Sequence, residues 1–156
     1  MTRRKRARSA ALRDGPDQFD ACPCGNRRPY ADCCRPLHEG LPAPDAEALM
    51  RSRYTAYVIG AYAYLRETWH PSTRPLQLDP NFQPSPRWLG LEVRRHVVTG
   101  PDTAIVEFIA RYRLAGRAER QHEVSRFQRE DGRWYYVDGD FPGRVSGDAA
   151  PVGAAS

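Results

Sequence analysis

Ala104-Ile105-Val106-Glu107-Phe108-Ile109-Ala110-Arg111-Tyr112 is the stretch that decides the fold. Val106, Phe108, Ala110 and Tyr112 alternate with Ile105, Glu107, Ile109 and Arg111, which is the period of a β-strand. Both sets contain apolar residues, so this strand is predicted to be central in a sheet. Residues 89–93 form a strand before it. Residues 119–129 follow across a turn near Gly116. Asp131-Gly132 is a tight-hairpin signal between Phe127 and Trp134, and residues 134–137 make the last strand.

Upstream of the strands the period lengthens, and residues 45–70 read as helical. Asp45 is placed to cap the first helix, and Glu47 suits the positive end of its dipole. Met50, Tyr54, Tyr57, Val58 and Ala61 follow at helical spacing as the buried face. Gly60 divides the region. A second helix presents Tyr62, Leu65 and Trp69 and stops before Pro71. Residues 71–87 hold Pro71, Pro75, Pro80, Pro84 and Pro86 and read as a long connection. Helices first and an antiparallel meander afterwards give an α+β fold, with the helices packed on one face of the sheet.

Further toward the N-terminus, all four cysteines fall in Cys22-Pro23-Cys24-Gly25 and, eight residues after Cys24, Cys33-Cys34. Thiolates are soft ligands, and four of them make a closed tetrahedral site for zinc, with iron as an alternative occupant. A Cys-x-Cys pair reaches one metal only through a sharp turn, and Gly25 gives the backbone that freedom. So short a segment has no core of its own, so metal binding supplies its folding energy, on the order of 10 kcal/mol. The competing reading is disulfides. Adjacent Cys33 and Cys34 join only as a strained pair, and Cys22 with Cys24 is poor geometry. His38 is an alternative fourth ligand should Cys34 point away. A closed ligand set leaves no position for water and implies a structural metal.

The chain has 156 residues and a net charge of +5. Arg3, Arg4, Lys5, Arg6, Arg8 and Arg13 carry that excess, and the remainder is nearly neutral. The basicity belongs to an arm, residues 1–20, and not to a face that reads DNA. The arm is expected to be disordered and suited to weak, nonspecific contact with RNA phosphates. Residues 143–156 read as a loose tail of Gly, Ala, Ser and Pro. No apolar run is long enough to span a membrane and no secretory signal is read, so the expected compartment is cytoplasmic.

The cysteine pattern with Tyr30 resembles the SEC-C motif, the small metal-binding module at the C-terminus of the SecA translocation ATPase. Residues 49–57 (Leu-Met-Arg-Ser-Arg-Tyr-Thr-Ala-Tyr), Thr68-Trp69-His70-Pro71, His122-Glu123-x-Ser125-x-Phe127 and residues 132–139 (Gly-Arg-Trp-Tyr-Tyr-Val-Asp-Gly) resemble the YchJ-like family, UPF0225. The resemblance implies metal ligands Cys22, Cys24, Cys33 and Cys34 in a module at residues 21–40. It also implies a nuclear transport factor 2-like domain at residues 41–142, a cystatin-like cone of helices on a curved sheet. Folds of this kind often dimerise through the open sheet face, so a homodimer is an expectation. Many family members carry a second SEC-C motif near the C-terminus, whereas residues 143–156 hold no cysteine.

Such cones often enclose a pocket. Its candidate lining is Arg51, Arg53, His70, Glu107, Glu123, Ser125, Arg126, Trp134, Tyr136 and Asp138. Strand alternation puts Glu123, Ser125 and Phe127 on one face, where Arg51 or Arg53 is an expected partner for Glu123. The favoured reading of these polar groups is a structural network; acid–base work by Glu123 or Asp138 with His70 is the alternative. The leading functional expectation is an interaction protein whose metal module docks a protein or ribosomal partner, linked to translation or export. Small-molecule binding or enzyme activity in the cone is the competing expectation.

Overall fold

A computed structural model describes residues 21–76, 78 and 86–143. The expected arm at 1–20, the tail beyond residue 143 and much of the proline-rich connection lie outside the described residues. Helices α1 (Cys34–His38), α2 (Ala46–Ile59) and α3 (Tyr62–Glu67) precede strands β1 (Arg87–Gly100), β2 (Thr103–Leu114), β3 (Arg117–Glu130) and β4 (Arg133–Asp140). The strands form one antiparallel sheet in the order β1-β2-β3-β4.

The turns follow their sequences. Leu114 pairs with Arg117 and Glu130 with Arg133, so each hairpin closes on two residues. Those residues are Ala115-Gly116 (φ 49° and 80°) and Asp131-Gly132 (φ 50° and 78°), left-handed pairs that match the twist of the flanking strands. β1 is longer than the predicted 89–93. Its register shifts between Trp88 and Gly90, Val93 and Arg95, and Val98 and Gly100. Each bulge sets an extra residue against the partner and moves the alternation to the other face, which hides the strand from a period-2 reading. Bulges also bend a sheet.

The sheet packs its inner face on α2. Val106 and Phe108 of β2, Phe127 of β3 and Trp134 of β4 meet Leu49, Met50 and Tyr54 in one core. Asp45 caps α2, its Oδ1 accepting from Ala48 N at 2.7 Å, and Gly60 ends the helix at φ 77°. The helix also buries Ser52, Arg53 and Thr55, which the predicted apolar stripe omits. Its second buried side faces the cysteines, where hydrogen-bonding groups replace hydrocarbon. α3 stops at Glu67, earlier than the predicted helical limit. Residues 68–70 instead pair with the backbone of β4: His70 N donates to Tyr136 O (2.7 Å) and Tyr136 N to Thr68 O (2.8 Å). Trp69 is therefore placed by the sheet and not by the helix.

Removing the Asp45 cap frays the helix that carries both sides of the structure. Asp45→Ala is expected to cost about 1 kcal/mol, read as a lower urea midpoint at unchanged slope, and Asp45→Ser to restore most of it.

Candidate metal centre

The cysteine segment is a closed loop followed by a helix start. Cys22 N donates to Arg28 O at 2.7 Å, and Gly25 N to Cys22 O at 3.2 Å. Gly25 (φ 87°) and Arg27 (φ 59°) are left-handed, which folds residues 22–28 back on themselves. A single 3-10 turn, Tyr30–Asp32, then leads to Cys33, whose backbone (φ −121°, ψ −97°) breaks direction before α1 begins at Cys34. That break lets two adjacent cysteines aim at one point.

The four sulfurs lie within 4.8 Å of one another. Cys24 Sγ and Cys33 Sγ are 3.5 Å apart, and Cys33 Sγ and Cys34 Sγ 4.0 Å. A tetrahedron with metal–sulfur bonds of about 2.3 Å has an edge of about 3.8 Å. A disulfide would need about 2.0 Å, and all four thiols are free. The donor set therefore fits one tetrahedral metal ion.

Hydrogen bonds orient the sulfurs. Thr55 Oγ1, fully buried on α2, donates to Cys34 Sγ at 3.4 Å and lies 3.6 Å from Cys22 Sγ. Asn26 Nδ2 donates to Cys33 Sγ at 3.8 Å. Hydrogen bonds from Cys24 and Cys34 hold the Cys22 thiol well below its ordinary range. The same sharing pushes Cys24 up to about 12, and raises Cys34, where burial adds to it. In other words, so close a set shares protons that a cation would replace, so metal uptake releases protons. His38 is not available as a ligand. Its Nε2 donates to Ser52 O (2.8 Å) and its Nδ1 accepts from Tyr30 Oη (2.8 Å), while burial lowers its pKa.

Arg51 and Arg53, two residues apart on α2, part company. Arg51 Nη1 donates to Cys24 O at 2.6 Å and its Nε pairs with Glu47 at 3.2 Å, so it fastens the cysteine loop and does not line the cone. Arg53 enters the cone, donating to Leu65 O (2.8 Å) and Thr68 Oγ1 (2.7 Å) with its guanidinium over the rings of Trp69 (5.2 Å) and Tyr136 (4.8 Å). Neither forms the expected ion pair with Glu123. Tyr136 Oη donates to Glu123 Oε1 at 2.6 Å instead, supplying by hydrogen bond what the expected ion pair would have supplied by charge. Burial raises the Glu123 pKa, against the hydrogen bonds from Tyr136, Ser125 and Gln121 and the charge of Arg53.

A cavity of about 60 Å³ between α2 and the sheet takes in Arg53, Glu123, Ser125 and Tyr136 of the predicted set. His70 lies outside it, bonded to Glu130 (2.7 Å) and Ser72 (2.6 Å). Glu107 faces the other side of the sheet and pairs with His122 at 2.7 Å. Asp138 and Arg126 pair with each other in solvent, and Trp134 is core. Gln121, Tyr57, Trp88 and Phe141 line the cavity and were not among the expected residues. Gln121 was findable, since it shares the face of Glu123 and Ser125 at period 2. Gly139 pairs with Ser125, and a Cβ there would collide with the Glu123 side chain, so the glycine makes room for that carboxyl.

The family described as "YchJ, middle NTF2-like domain" matches residues 45–139. A UPF0225 protein of Methylibium petroleiphilum is 58% identical over 127 residues, covering 81% of this chain and 92% of that one. The solution structure of a SEC-C motif containing protein from Rhodopseudomonas palustris is similar at a TM-score of 0.70 and 37% identity, covering 77% of this chain and 97% of that one. The crystal structure of a SEC-C motif containing protein from Psychrobacter arcticus is similar at a TM-score of 0.68 and 31% identity, covering 83% and 87%. The chain belongs to the YchJ-like UPF0225 family.

Two outcomes test this geometry. Cys22→Ser with Cys24→Ser removes two donors; elemental analysis is expected to show loss of bound metal, and the melting midpoint to fall by at least roughly 10 °C. Glu123 has a folded-state pKa raised above 4.5, so the folded protein holds the extra proton and this group's contribution to stability falls as pH rises through that window. Urea midpoints of Glu123→Gln relative to wild type are therefore expected to be more favourable at pH 7 than at pH 5.

Proposed function

We propose that this protein is a zinc-stapled interaction protein of the cytoplasm, in which residues 21–40 form a docking knuckle and residues 41–142 a supporting cone. The observation that carries this reading is the convergence of the four sulfurs at tetrahedral spacing. Four protein donors complete the shell of one ion, so the metal shapes a surface and has no position for substrate. Zinc suits the site because a filled d shell accepts whatever angles the loop imposes; iron with the same ligands is the alternative.

The knuckle presents a defined tip. Residues 25–29 are exposed, and they include Arg27 and Arg28 in the loop between the two cysteine pairs. A metal-fixed basic tip suits an acidic protein surface or a ribosomal partner, in translation or export. The arm at residues 1–20 would add weak, nonspecific RNA contact, with a salt dependence typical of phosphate neutralisation.

Affinity capture from lysate of the source cell tests the reading, with bound metal measured in each sample. Three forms are compared: wild type, Cys22→Ser with Cys24→Ser, and Arg27→Glu with Arg28→Glu. Wild type is expected to hold one zinc and to bring down ribosomal or export components. The cysteine variant is expected to lose both metal and partner. The arginine variant should keep the metal and lose the partner. Capture that survives metal loss, or a metal-loaded wild type that captures nothing specific, overturns the docking role.

A further inference from the structure

The cone holds polar chemistry that the metal centre does not use, and it concerns a separate site from the docking knuckle. Gln121, Glu123 and Ser125 project from β3 into the cavity between α2 and the sheet. Glu123 is 4% exposed. Its Oε1 accepts from Tyr136 Oη at 2.6 Å, and its Oε2 is 3.4 Å from Gln121 Nε2. Tyr136, Gln121 and Ser125 thus turn donors onto one carboxyl. What remains is an acceptor: Gln121 Oε1 is buried and has no hydrogen-bond partner among the described residues. A buried acceptor left unpaired is costly, so such a group calls for a partner from outside the protein.

The surroundings narrow the class of partner. Anions are disfavoured at this end of the cavity, where the unpaired Gln121 Oε1 and the Glu123 carboxyl both present acceptor oxygens. A cation is disfavoured by the Arg53 guanidinium, which also lines the cavity and lies 4.8 Å from the Tyr136 ring centroid. Tyr54, Tyr57, Trp88 and Phe108 supply aromatic walls that favour an apolar body. The volume of about 60 Å³ has space for about four or five water-sized groups, enough for a polar end and part of a ring.

We propose that the cone binds a small neutral molecule with an apolar body and an O–H or N–H donor, the donor meeting Gln121 Oε1 and the Glu123 carboxyl. This goes beyond the docking role and stands or falls apart from it.

Phenol, aniline, toluene and benzoate, similar in shape, test the class on the full chain at neutral pH. The readout is the indole N–H signal of Trp88 in NMR titrations. Phenol and aniline are expected to shift it saturably with dissociation constants on the order of 1 mM. Toluene lacks the donor and benzoate carries the wrong charge, and both are expected to bind at least about tenfold more weakly. Glu123→Gln is expected to weaken phenol about tenfold. Gln121→Leu, which removes the free acceptor, is expected to bring phenol and toluene to within about twofold of each other. Absence of a saturable shift with any probe, toluene binding as well as phenol, or an unchanged phenol preference in Gln121→Leu overturns the proposal. The wild-type comparison of phenol with toluene decides alone should either variant fail to fold.

Discussion

Thr55 donates a hydrogen bond from its hydroxyl to Cys34 Sγ, from a helix whose other side, at Met50 and Tyr54, is packed on the sheet. This contact joins two units that differ in what holds them together. The cone is held by burial of aromatic and aliphatic side chains, a driving force that needs no direction. The cysteine loop has almost no hydrocarbon to bury, so it depends on directional bonds: backbone turns and the donation from Arg51 to Cys24 O, with four sulfurs placed where a metal ion could join them. α2 serves both because a helix buried on two sides can present different chemistry to each. Ser52 and Thr55 are fully buried on it, yet each is hydrogen-bonded, which is the condition for burying polar groups without loss.

The interior of the cone follows a related logic with a different outcome. A carboxyl on an apolar face is costly unless donors surround it. Tyr136, Ser125 and Gln121 provide them, and Gly139 leaves the space. Arg53 adds its field without pairing with the carboxyl, and its Nη1 donates to Leu65 O and Thr68 Oγ1. Leu65 O lies in the last turn of α3, where helix carbonyls lack intrahelical partners, and Thr68 is the residue that follows the helix. The guanidinium thus closes a helix end, packs on two rings and balances a buried acid from one position.

Much of this was legible before any coordinate. Asp131-Gly132, the alternation over 104–112 and the Asp45 cap each rest on local stereochemistry, and each appears where the sequence places it. The convergence of the four cysteines is legible because disulfide geometry suits neither Cys33 with Cys34 nor Cys22 with Cys24, and the four sulfurs do meet at one point. β1 was half-hidden, since three bulges break the period that strand recognition relies on. The polar side of α2 was hidden for a different reason: Ser52 and Thr55 read as solvent-facing until something covers them. The sequence points to Arg51 or Arg53 as the partner of Glu123, and the structure differs because charge complementarity has no address in a sequence. The nearest donor proved to be a tyrosine on the adjacent strand, set by a register that a bulge between Arg126 and Phe127 shifts by one residue.

Arg51 and Arg53 show how one element keeps two sites independent in chemistry and linked in position. At about 100° per residue, positions two apart on a helix point in nearly opposite directions. Arg51 therefore reaches the cysteine loop while Arg53 reaches the cone, although the residues are near neighbours in sequence. The helix between them is fixed at its start by the Asp45 cap and at its end by Gly60, and it is packed along its length. Such an element acts as a strut. It holds the cysteine loop on one side, through Arg51, and lines the cavity on the other, through Arg53, without needing to bend.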